Sequence, residues 1–292
     1  IRAGLGFEGC VAEAYLGPVA ALGRLNTARS GVNTKSMAMS TRIATDDISR
    51  PRVLHNNWYM NGTPSEANAG GACTITDWIE YPIGEVMSAP VTGVAADGAN
   101  LINDMGQLVI PRGAAFRIWT LRTGPLMIYA QVVAGTANGS GWLTGAAAPD
   151  TPTLGAVIGE ANPVSANGYF PYILDMTTRR SHLFVDDSHA VGIPDGNIDP
   201  TGLFGPFERF FGPDIPWINL SVGGGSLANF LPSNAKRVAM AQYCTEIDVG
   251  FAGNDVALGR SGADIIADLK TAIALFPGKR IWTATELPKT TS

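Results

Sequence analysis

The chain has 292 residues, 46% of them apolar or aromatic and only 15% charged, with a formal net charge of −5. That length supplies a core for one large domain or two ordinary ones. Charge so sparse and slightly acidic excludes a binder of phosphate backbones, so no nucleic-acid partner is expected. Aromatic and β-branched residues throughout exclude collagen-like and disordered chains, and 35 glycines with 19 prolines announce many turns.

No run approaches the roughly 20 apolar residues of a membrane span; the longest, 126–134, holds Gln131 and fits a buried strand. The first residue is Ile1, with no leader pattern, so a processed piece of something longer is expected. Cys10, Cys73 and Cys244 lie far apart without CxxC spacing, which points to neither a metal knuckle nor a disulfide framework. One bridge plus a free thiol and three buried thiols both stay open.

Residues 1–45 are rich in Ala, Gly and Ser with weak periodicity, and are expected to form an irregular N-terminal arm. Residues 46–134 show short β-branched and aromatic runs at 73–81, 107–110, 115–121 and 126–133, punctuated by Gly, Pro, Asn and Asp. That rhythm predicts an antiparallel β-sandwich of jelly-roll type. Trp58, Trp78 and Trp119 read as its core in preference to a carbohydrate platform, and His55 reads as sheet packing in preference to a sugar-binding surface. Residues 135–170 are nearly all Ala, Gly, Pro, Ser and Thr, and read as a loop or linker.

From 171 onward the pattern becomes α/β. Apolar strands are expected at 181–185, 217–222, 246–251 and 280–285, and a weaker helix at 233–243. Ser261 with Asp264 resembles a helix N-terminus; Ile265, Ile266, Leu269, Ile273 and Phe276 would share one face, and Pro277-Gly278 would stop the helix. Alternating strands and helices imply a parallel sheet, which gathers ligands at the carboxyl ends of its strands. Ser188, Gly224 and Asn254 all stand at such ends. Acyl transfer needs an exposed hydroxyl, a base, and donors where a carbonyl oxygen turns negative. The Ser188 hydroxyl, the Ser188 and Gly224 main-chain N–H groups and the Asn254 amide are of the right types.

Three blocks carry a resemblance: Val185-Asp186-Asp187-Ser188 followed by Gly192, Asn219-Leu220-Ser221-Val222-Gly223-Gly224-Gly225-Ser226, and Ala252-Gly253-Asn254-Asp255. In order and spacing they resemble the Gly-Asp-Ser, glycine and Gly-x-Asn-Asp blocks of the SGNH (GDSL-type) hydrolases. The likeness runs over residues 171–292 and includes Ala284-Thr285-Glu286-Leu287-Pro288. It departs at Asp186 and Ala252, where the family has Gly. The resemblance implies a flavodoxin-like α/β/α domain, incomplete at its C-terminal end, following the β-sandwich. It also implies Ser188 as nucleophile, with the Ser188 N–H, the Gly224 N–H and Asn254 as the oxyanion hole. Esters and acetylated carbohydrates would be the substrates, with no cofactor and no metal.

The family's base, an Asp and a His three residues apart in a late block, has no counterpart. The histidines are His55, His182 and His189, and none follows His189. His182 and His189 read as strand-end or loop residues, and His189 is poorly placed to accept its neighbour's proton. A C-terminal fragment or a second chain is expected to supply the Asp and His. The leading expectation is thus a serine ester hydrolase, extracellular or particle-associated. The rival is a non-catalytic structural or carbohydrate-binding component of a virion or cell surface with a degenerate form of this fold. The sequons at Asn61, Asn138 and Asn219 carry little weight, the third lying in a predicted buried strand.

Overall fold

Alternating burial organises residues 10–179 around two antiparallel sheets, flanked by a three-stranded sheet (Ala166–Gly168, Met127–Val133, Ala28–Ser30) and the hairpin Trp58–Met60 with Glu66–Asn68. They are seen in a computed structural model that describes residues 10–21, 23–31, 33–133, 140–158, 166–191, 205–212 and 214–283. One sheet has the order Cys10–Pro18, Tyr172–Arg179, Arg52–Asn56, Asn100–Asp104. The other runs Gly141–Thr144, Lys35–Ile43, Ala115–Thr123, Cys73–Glu80, Val91–Ala95. Between them lie Val53 and Ile173 of the first sheet and Ile79, Phe116 and Ile118 of the second.

Side chains alternate across a strand, so the neighbours of the inward residues point the other way. Leu54, Tyr172 and Leu174 leave the sandwich and enter a second core with Leu183, Val185, Ile218, Ile247 and Val249. The four-stranded sheet is therefore buried on both faces around Val53, Leu54 and Tyr172–Leu174.

The second core belongs to a parallel five-stranded sheet of order Arg280–Trp282, Glu246–Val249, His182–Val185, Trp217–Asn219, Gly23–Arg24. The strand order reverses at His182–Val185, as in doubly wound sheets. Helices α1 (Ser188–Val191) and α2 (Gly205–Phe211) follow the first of its strands from the second half, and α3 (Leu227–Phe230) and α4 (Ala235–Met240) follow the next. Helices α5 (Ala252–Ala257) and α6 (Gly262–Ala274) precede the last. Leu227, Phe230, Met240 and Phe276 close the second core. On the opposite face Phe184 and Trp217 pack on Phe211 of α2. The architecture is α/β plus β, with mixed sheets and few helices.

Several elements differ from expectation. Residues 10–45 carry four strands, Cys10–Pro18, Gly23–Arg24, Ala28–Ser30 and Lys35–Ile43, where an irregular arm was expected. Their small residues hide the alternation, and their partners are remote in sequence: Tyr15 pairs with Thr177 and Gly23 with Ile218. Gly23 has a steric reason, since a Cβ there would lie 2.3 Å from Tyr172 Cδ1. Within 135–170, Gly141–Thr144 pairs with Lys35–Ile43, and Ala166–Gly168 with Met127–Val133. The run 107–110 makes only a single bridge, Ile48 to Ile110. Tyr172–Arg179 joins the antiparallel sheet and not the α/β layer.

Trp58, Trp78 and Trp119 are buried, so they form core and no sugar platform. In α6 the Ser261 hydroxyl accepts from the Asp264 N–H at 3.2 Å, as the cap pattern predicts. Its buried stripe is Ile265, Ala272 and then Phe276 just past the helix, whereas Ile266 is 56% exposed. Cys73 and Cys244 are free and buried, and the Cys10 side chain lies outside the described residues. Burial pushes the Cys244 thiol up to about 12 and raises that of Cys73.

Two outcomes are expected. Leu54→Ala removes a side chain from the shared core and lowers stability by about 2–5 kcal/mol, with both halves unfolding in one urea transition when followed by far- and near-UV circular dichroism. The thiolate is the reactive form, so Cys73 and Cys244 stay silent to Ellman's reagent in the native protein and react once urea unfolds it.

Candidate active site

The parallel register sets the ends of three strands level. Phe184 pairs with Asn219 on one side and with Asp248 on the other, and Val185 pairs with Val249. The chain leaving each strand therefore emerges at the same edge of the sheet. Beyond the strands the pairing continues once more, with the Val222 N–H donating to the Asp186 carbonyl at 3.0 Å.

Side chains then lock the emerging loops together. The Asn254 amide nitrogen donates to the Gly225 carbonyl at 2.7 Å and reaches the Asp187 carboxylate at 3.4 Å. One side chain of the third loop thus spans the first and the second. Its neighbour Asp255, fully buried, accepts from the N–H groups of Leu227 at 2.7 Å and Ala228 at 3.3 Å, and from Arg260 at 2.8 Å. That carboxylate holds the helix start that follows the glycine loop. Ser226 caps the same helix by accepting from the Asn229 N–H.

The glycine loop is a turn closed by the Gly225 N–H on the Val222 carbonyl at 3.0 Å, and Gly224 at its third position has φ +73°. A positive φ there favours glycine. Gly250 answers a different demand, because a Cβ would fall 2.2 Å from the Asp186 carboxylate.

Ser188 opens α1 and is half-buried. Among the described residues neither its hydroxyl nor its N–H has a hydrogen-bond partner, and the Gly224 N–H donates to none. Helix α1 is held from behind by Asn219, whose amide donates to the Ala190 carbonyl at 2.9 Å and to Glu208 at 3.1 Å. Glu208 in turn makes a buried ion pair of 2.6 Å with Arg24, which comes from the N-terminal segment. A cleft of about 170 Å³ opens at the same sheet edge, between Asp186, Asp248, Gly250, Phe210, Phe211 and Trp282.

The histidines are placed as follows. His55 lies wholly inside the sandwich, between the Tyr169 hydroxyl at 3.0 Å and Asp77 at 2.6 Å. His182, also fully buried, sits six residues before Ser188 and bonds Asp248 at 2.9 Å. Burial raises the Asp248 carboxyl above its usual range, against the opposing pull of His182. His189 is 61% exposed, and its Nδ1 meets Asp187 at 3.1 Å. Neither buried histidine is at the loop edge. No group of three or more potential metal-ligating residues occurs among the described residues, and no described helix is long and apolar enough to cross a membrane.

The structure thus brings the segments of Ser188, Gly224 and Asn254 to one edge. It adds partners that the sequence reading had left without a role: Asp187 and Gly225 as acceptors for Asn254, and Asp255 as the anchor of α3. Both aspartates stood inside the recognised blocks, so their positions were visible and their bonds were not.

No protein-family model matches the chain, and no curated protein matches it. Among solved structures, a peptidoglycan O-acetylesterase is similar with a TM-score of 0.31 and 9% identity, over 100% of this chain and 58% of that one. A salicylyl-acyltransferase from a tetracycline biosynthetic pathway gives 0.26 and 13%, over 84% of this chain and 55% of its own. The chain spans little more than half the length of either. Scores this low leave fold and chemistry to rest on the chain's own geometry.

Replacing Asp255 by Ala strips acceptors from two N–H groups and from Arg260. A loss of about 1–3 kcal/mol is expected, read as a lower urea midpoint. Gly224→Ala meets no clash, its Cβ lying 3.9 Å from Pro64 Cγ, yet costs about 1–2 kcal/mol through the left-handed backbone.

Proposed function

We propose that the chain is a serine ester hydrolase of SGNH type, acting on carboxylic or sugar O-acetyl esters through an acyl-serine intermediate. The observation that carries this reading is the Asn254 amide, bonded to Gly225 and reaching Asp187, which draws together the loops bearing the three candidate groups. Ser188 is the nucleophile. Its oxygen attacks the ester carbonyl while its proton passes to a base, and the alcohol leaves as the tetrahedral intermediate collapses. Water then attacks the acyl-serine and releases the acid. In this reading the N–H groups of Ser188 and Gly224 meet the oxygen that becomes negative, and the Asn254 amide joins them by exchanging its 3.4 Å contact with Asp187 for that oxygen. The two main-chain donors are held in place before the reaction and need no reorganisation during it.

The base comes from outside these 292 residues, as an Asp–His pair in a further segment or a separate chain. Supporting this, His55 and His182 are committed to buried carboxylates, and the His189 Nδ1 is turned to Asp187. The rival reading is a structural or carbohydrate-binding component without activity. One observation favours it: both contacts of the Asn254 amide nitrogen are to acceptors of the protein itself.

A fluorophosphonate probe separates the two. On the esterase reading it labels the wild-type chain at Ser188, added imidazole accelerates the reaction by standing in for the base, and Ser188→Ala abolishes it. Asn254→Ala lowers the rate about 10²–10³-fold, while His189→Ala leaves it nearly unchanged. Labelling that is absent with and without imidazole overturns the esterase; loss of labelling in His189→Ala moves the base into this chain.

A further inference from the structure

The β half sends one element to the loop edge. Trp58–Met60 and Glu66–Asn68 form a hairpin whose tip is residues 61–65. The nearest atom that a Cβ on Gly224 would meet is Pro64 Cγ of this tip, at 3.9 Å. The approach is fixed from below. Trp58 and Met60 are buried in the same core as Val222, Leu227 and Phe230, which flank the glycine loop. The Glu66 carboxylate accepts from the N–H groups of Lys236 and Arg237 at the start of α4, both at 2.8 Å, and the Glu66 N–H donates to the Ser233 hydroxyl at 2.8 Å. Burial lowers the Arg237 guanidinium to about 10, against the pull of Glu66.

The tip itself is ordered and polar. The Asn61 side-chain oxygen accepts from the Thr63 N–H at 3.0 Å, the Thr63 hydroxyl at 2.9 Å and the Ser65 N–H at 3.1 Å. That leaves the Asn61 NH₂ without a described partner. Thr63 is exposed, and a Cβ on Gly62 would meet nothing within 4 Å.

We infer that this tip forms one wall of the substrate cleft beside Gly224, where the Asn61 amide and Thr63 hydroxyl meet the hydroxylated alcohol part of the ester. The inference rests on the esterase reading for the identity of the ligand. A wall fixed before binding costs little ordering entropy. The unspent Asn61 NH₂ suits hydroxyl groups, and an acyl chain would leave it unpaired.

The test uses the full chain carrying Ser188→Ala, so that bound ester is not consumed, with Gly62→Trp as a reporter at a position with room for a side chain. Titration with an O-acetylated xylo-oligosaccharide is expected to change the indole emission saturably, relative to the parent with Gly62. Asn61→Asp keeps the acceptor oxygen and removes the NH₂; it should weaken that binding about 2–10-fold, the range for one lost neutral hydrogen bond. An emission that does not respond, or binding indifferent to Asn61→Asp, overturns the wall. Failure of the esterase is read separately, as an unlabelled Ser188 in a protein whose reporter still responds.

Discussion

The register of the parallel ladder is the constraint on which the rest depends. Once Phe184 lies opposite both Asn219 and Asp248, the hydrogen bonds of the backbone leave three chains emerging side by side. Their loops have no freedom to scatter. A buried main chain must find partners, and the loops find them in one another: Asp186 receives Val222, Gly225 receives Asn254, and Asp255 receives the first turn of α3. The candidate site is the place where these obligations are met, with the N–H groups of Ser188 and Gly224 left over.

That arrangement is held by a sheet belonging equally to both halves. Val53 faces the sandwich and Leu54 faces the parallel sheet, so the two cores share a single layer of backbone. The sandwich side also carries a buried polar cluster. Asp77 accepts from Asn103 and Thr120 and bonds His55, while Arg122 lies over the Tyr169 ring at 4.3 Å. Paired groups of this kind are costly if one partner is lost, and they disfavour slipped registers. Glu66 reaches across from the β half to α4, while Arg24, brought into the parallel sheet from the N-terminal segment, pairs with Glu208 behind α1.

Chemically, the edge carries main-chain donors and the carboxylates of Asp186, Asp187 and Asp248, with no buried histidine beside Ser188. In the proposed reaction the main-chain groups at Ser188 and Gly224 and the Asn254 amide meet the oxygen gaining negative charge. The two buried histidines have carboxylate partners of their own. The proposed reaction therefore takes its base from elsewhere, and the polar tip at 61–65 is proposed to add contacts to the alcohol part of the ester.

Sequence by itself determined what depends on neighbours along the chain. The strand cores at 182–185 and 246–249, the Ser261 cap, the stop after Phe276 and the turn residues around Gly224 all follow from local periodicity and backbone preference. The candidate residues Ser188, Gly224 and Asn254 were legible because their blocks occur in order. Tertiary structure alone decided the pairings whose energies come from distant partners. Gly23–Arg24 entered the parallel sheet although small residues mask its pattern, and Tyr172–Arg179 went to the antiparallel sheet by pairing with Arg52–Asn56. Ile266 turned to solvent while Ala272 was buried. Pro64 came near Gly224 across 160 residues of chain, a proximity that no local pattern encodes because it arises only when two cores close on one sheet.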